Sequence, residues 1–189
     1  MSVPLAAQAH GFGAMDTPMQ AVLSGAAALA AYPETGLPLI ALGLWLAFCG
    51  GIARGGIALV AGLGAGILLA PFAPGAVSVL SLVAGTLVAA GTALIGPRLP
   101  GRAGPPIAAL TTTMALASLL HGQGFDSLPV AFVAGVMGAA LLAVILPSTL
   151  AGVVLRGGGA AWRALAVRIA ASWLTAILVL VIAFGLRSA

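Results

Sequence analysis

Apolar residues run in long blocks along this chain, separated by short segments rich in proline, glycine or arginine. Six blocks are long enough to read as helical spans: about 37–52, 56–70, 76–95, 106–121, 129–155 and 162–186. The breaks carry the chemistry of turns. Pro71-Phe72-Ala73-Pro74 closes the second block, and Gly96-Pro97-Arg98-Leu99-Pro100-Gly101-Arg102 separates the third from the fourth. Gly122–Ser127 closes the fourth, and Arg156-Gly157-Gly158-Gly159 the fifth, all segments that favour turns over helix continuation. A further apolar stretch, 20–31, spans only ~18 Å as a helix and reads as interfacial or re-entrant. Tyr32-Pro33-Glu34-Thr35-Gly36 interrupts it, either as a helix break lining a cavity or as a surface turn. Residues 1–19 form a tail. Ala7-Gln8-Ala9 before His10 has the look of a signal-peptidase site, but no apolar core precedes it. Either the true start lies upstream of Met1, or the match is accidental.

Composition turns this pattern into a membrane reading. Of 189 residues, 62% are hydrophobic and only 5% charged, and the mean hydropathy is +1.24. A soluble domain carries about a quarter charged residues. The expected fold class is therefore all-α, a polytopic integral membrane bundle of about six transmembrane helices. Segments of alternating polarity, which a β-barrel needs, are missing. The 27 glycines fit close helix packing, with Gly62, Gly66 and Gly135 as packing surfaces. Cys49, the single cysteine, reads as a small buried hydrophobe.

All positive charge is arginine. The arginines stand singly between apolar blocks, which argues for topology signals and against a nucleic-acid partner. With six spans and an outside N-terminus, Arg54, Arg98, Arg102, Arg156, Arg163 and Arg168 fall on one side and only Arg187 on the other. Both termini are then expected outside the inner membrane of a bacterium, and His10, Asp16, Glu34, His121 and Asp126 share the outer face.

Candidate chemistry is sparse. His121 ends the fourth block and Asp126 follows five residues later across a glycine-rich turn. Imidazole with carboxylate suits a transient nickel, cobalt or zinc ion, and equally an interfacial histidine beside a solvated acid. Glu34 is an entry-side acid if its segment is a helix break. His10, with Met15, Asp16 and Met19, reads as a metal-capturing or a plain tail. Thr111, Thr112, Thr113 and Ser118 read first as hydroxyls bonded to carbonyls one turn back or on a neighbouring helix. No GxSxG, HExxH, Walker loop or CxxC occurs, so no enzyme is expected and no cofactor is assigned.

The order of these elements resembles the HupE/UreJ family of small nickel/cobalt permeases. Tyr32-Pro33-Glu34-Thr35-Gly36-Leu37-Pro38-Leu39 stands where that family has His-Pro-x-x-Gly-x-Asp-His. Gly43-Leu44-Trp45, Gly50-Gly51 and His121-Gly122-Gln123-Gly124 follow at matching places. The chain departs at Tyr32, Pro38 and Leu39, which replace the motif's histidines and aspartate, and of the later histidine cluster only His121 remains. The resemblance implies six spans, a signal peptide and a nickel or cobalt ion as substrate; the family's ligand set does not carry over, so in this chain His121 and Asp126 would hold the ion, with help from Glu34 or His10. Two function classes follow from it. One is a divergent metal permease or metal-delivery accessory protein. The other is a non-transporting scaffold subunit of a larger membrane complex. Partners beyond the lipid bilayer are accordingly a membrane complex or further copies of the chain.

Overall fold

A computed structural model describes residues 17–124, 128–157 and 161–187. Among them there are seven α-helices and no strand: α1 (Pro18–Ala31), α2 (Pro33–Phe48), α3 (Ile52–Leu69), α4 (Val77–Leu94), α5 (Gly104–Leu119), α6 (Val130–Arg156) and α7 (Ala161–Arg187). Four helical stretches are long and apolar enough to cross a membrane: Ile52–Phe72, Val77–Leu94, Val130–Arg156 and Trp162–Arg187. The pair α1 and α2 makes a fifth if its 82° bend is counted within one span. The expected span at 106–121 is a helix of 16 residues, ~24 Å long against a hydrocarbon core of ~30 Å.

α2 is the centre of the bundle. It packs against α4, α5 and α6, with smaller contacts to α7, α1 and α3. Leu39, Ala41, Leu42 and Leu46 on it are fully buried. Around it α3 pairs with α5, α4 with α7, and α1 with α6. α1 starts cleanly because Thr17 caps it. The Thr17 hydroxyl accepts from the Gln20 amide at 3.2 Å, and the Gln20 side chain accepts from the Thr17 amide at 3.1 Å, a reciprocal capping box. It then crosses α6 at close range. A side chain at Gly25 would collide with the Phe132 carbonyl, and one at Gly135 with the Val22 backbone. Glycine at both positions lets the backbones touch, as small residues do in membrane bundles.

Three boundaries differ from the sequence pattern, one of them the end of α2, at Phe48 and not Ile52. α2 begins at Pro33, not Leu37, so Glu34, Thr35 and Gly36 form its first turn. Proline fits the first helical position, where its missing N–H would have no partner anyway. α3 begins at Ile52, not Gly56. The chain reverses earlier, at Gly50 and Gly51, whose φ angles of 101° and 75° suit glycine and little else.

The packing glycines and threonines behave as their positions suggest. Gly62 and Gly66 of α3 lie against the backbone and side chains of α5. Thr112 donates to the Ala108 carbonyl at 2.7 Å, and Thr113 donates to Ala109 at 2.8 Å and across to Gly62 at 3.1 Å. Six of the seven arginines gather at one end, and Arg187 closes α7 at the other. A side chain at Gly101 would strike the Arg54 guanidinium, and one at Gly157 would strike that of Arg163. Arg168 donates from Nε to the Ala93 carbonyl at 2.7 Å. Arg156 lines a small cavity with Gly50 and Gly51. The start of α2, the start of α4 and the ends of α5 and α7 lie at the opposite end.

Candidate functional site

The 82° break between α1 and α2 sets out the site. Tyr32 carries the bend in extended conformation, and no side chain caps the first turn of α2. The positive end of the α2 dipole therefore faces the break, and Glu34 in that turn is placed where a carboxylate is favoured. Beside it Thr35 is fully buried, and its hydroxyl has no hydrogen-bond partner. Buried hydroxyls are nearly always satisfied, so Thr35 stands out among the buried polar side chains.

Pro38 creates a second demand. In a regular helix the Glu34 carbonyl would accept from the amide of residue 38, and proline has none. Ser81 of α4 supplies the bond instead, its hydroxyl donating to the Glu34 carbonyl at 2.7 Å. One turn further along α4, Gly85 makes room for the Pro38 ring, since a Cβ there would lie 2.8 Å from Pro38 Cβ. One turn back, Ser78 shares the Ser81 face and accepts from the Ser118 hydroxyl of α5 at 3.0 Å. Ser118 in turn accepts at its carbonyl from the His121 amide, at 3.4 Å. Two separate polar contacts, Ser81 to the Glu34 carbonyl and Ser118 to Ser78, thus lie at the end of the bundle opposite Arg54, Arg98 and Arg102. Glu34 and Ser78 also line a cleft of about 280 Å³, walled by Val79 and Leu82 of α4 and by Val181, Ile182 and Gly185 of α7.

Two of the four expected metal residues are described. Glu34 is half-buried at the mouth of this cleft, and His121 is exposed in the turn after α5. His10 and Asp126 lie outside the described residues. Among the described residues, no three His, Cys, Asp or Glu side chains gather closely enough to hold a metal ion. The oxygen donors Thr35, Ser78 and Ser81 were missed from sequence as members of the site. The available signal was Pro38, four residues after Glu34, which leaves a carbonyl in need of a donor.

Cys49 lies in the turn between α2 and α3, outside both helices, and is buried. Burial pushes its thiol above the ordinary value, and the Arg54 charge partly opposes this. Its Sγ lies 3.8 Å from the Pro100 carbonyl, so it acts as packing between the turn and the α4–α5 connection.

Comparison with protein-family models, with curated proteins and with solved structures found no match to this chain.

Proposed function

We propose that the protein is a small membrane permease of the HupE/UreJ type, residing in the bacterial inner membrane. It spans that membrane six times with both termini outside, and it carries a divalent nickel or cobalt ion. It catalyses no reaction. The observation that carries this reading is the broken helix pair. A helix interrupted at membrane depth is tolerated where the backbone lines a cavity, and transporters place ions at such breaks. Here the break presents a carboxylate, Glu34, beside an unpartnered buried hydroxyl, Thr35. His121 stands at the same end and supplies the nitrogen donor that favours nickel or cobalt over magnesium. Asp126, five residues after His121, is proposed as a further ligand, with His10 of the tail as a second candidate.

α5 counts as a span in this reading. Its 16 residues are accommodated by local thinning of the bilayer or by its position among α2, α3 and α4. The experiment is metal analysis of the purified protein loaded with nickel or cobalt. The wild type should retain ion after buffer exchange and the His121→Ala protein markedly less. Equal, background-level metal in both would reject the reading.

A second reading rests on the sparse donor set. Because no three strong ligands converge among the described residues, a non-transporting subunit of a membrane complex, or a homo-oligomeric scaffold, also fits the fold. Co-purification of a stable large complex, with no metal uptake, would favour it.

A further inference from the structure

Away from the helix break, α4 and α5 part to leave a cleft of about 350 Å³, within the ~300–1,000 Å³ usual for ligand sites. Leu80, Val83 and Leu87 of α4 line one side, and Ile107, Leu110 and Met114 of α5 the other. From Ile107 to Met114 the cleft runs ~10 Å along α5. Trp45 of α2 closes it from behind and is only 7% exposed. Its indole Nε1 is buried and has no hydrogen-bond partner. The Cζ3 edge of the ring is pressed against Gly91 of α4, where a Cβ would sit 2.7 Å away.

The connection between α4 and α5 lies at the arginine-bearing end and carries Arg98 and Arg102, both exposed, with no acid from Ile95 to Ala103. The same two helices that wall an apolar cleft are therefore joined by a cationic loop above its end. That order, cationic charge at the surface and hydrocarbon below it, matches an anionic phospholipid of that leaflet: phosphate, then acyl chain. We propose that the α4–α5 cleft is a binding site for one such lipid. Arg98 and Arg102 hold its phosphate, and the cleft takes an acyl chain against the Trp45 ring at its back. Basic residues at the ends of transmembrane helices favour anionic headgroups in this way.

The test uses Trp45 as its own reporter. Trp162 and Trp173 are 61% and 73% exposed, so a Trp162→Phe/Trp173→Phe protein leaves Trp45 as the sole indole. It is reconstituted into phosphatidylcholine vesicles containing either brominated phosphatidylglycerol or brominated phosphatidylcholine. The brominated anionic lipid should reach half-maximal quenching at a mole fraction roughly tenfold lower, as two arginine contacts at the surface imply. Arg98→Gln/Arg102→Gln should erase that preference. Ala84→Phe, which fills the cleft, should reduce quenching by both lipids. Equal quenching by the two lipids in the reporter protein would overturn the proposal, as would a preference that survives loss of both arginines.

Discussion

The hydroxyl of Ser81 gives the carbonyl of Glu34 the hydrogen bond that Pro38 cannot, at 2.7 Å. A proline inside a helix normally leaves a carbonyl unsatisfied one turn earlier. In this protein the neighbouring helix fills the gap, so α2 continues through Pro38 and its first turn is tied to α4. The site and the fold therefore share one bond.

Removing that bond should be felt, and a second change should restore it. Ser81→Ala is expected to destabilise the protein by about 1–2 kcal/mol, because a buried carbonyl loses its only compensating donor. Pro38→Ala in the Ser81→Ala background returns an amide to position 38, so the cost of losing Ser81 should shrink. A double-mutant cycle on thermal or denaturant unfolding in detergent reads this coupling. Additive effects would show that Ser81 and Pro38 do not act on the same carbonyl.

Cys49 should be a poor nucleophile. Burial raises its thiol pKa and the Arg54 charge opposes that rise, so at neutral pH less thiolate is present than in an exposed cysteine. Maleimide labelling should be slow and should accelerate as pH rises. Arg54→Gln removes the lowering influence, which shifts the pKa further up and slows labelling at a fixed pH. Labelling as fast as that of a free thiol would contradict this account of the turn.

Charge segregation predicts the orientation. Arg54, Arg98, Arg102, Arg156, Arg163 and Arg168 gather at the end opposite Glu34 and His121, which by the positive-inside tendency is the cytoplasmic one. A reporter fused at Gly101 should behave as cytoplasmic, and one fused after Arg187 as periplasmic. The reverse pattern would contradict the orientation, and a shared side would contradict the six-span count.

Much of the architecture is legible in the sequence because apolar blocks and turn residues are both strong signals. Gly96 to Arg102 breaks the chain where the pattern says it must, and the short 20–31 stretch does lie bent against its neighbour. The misplaced starts of α2 and α3 have one cause. Proline and glycine signal interruptions in an apolar pattern, whereas Pro33 begins a helix and Gly55 sits inside one, packed against Leu46. The site was legible only in its ionisable members. Glu34 and His121 stand out in a chain with 3 acids and 2 histidines. Ser78 and Ser81 do not, because a serine in an apolar run acquires meaning only once α4 is known to lie beside the Pro38 turn. Nothing in the pattern says which helix that will be.

The central claim is that a divalent cation enters through the α1–α2 break. Accumulation of radioactive nickel and cobalt by cells expressing the protein, measured against a deletion strain over a range of metal concentrations, tests it most directly. Glu34→Gln, Thr35→Ala and His121→Ala are compared at equal membrane expression. The account predicts uptake above the deletion strain for the wild type. Glu34→Gln and His121→Ala should fall to near background, and Thr35→Ala to an intermediate level. Wild-type uptake no greater than that of the deletion strain at any concentration would contradict it.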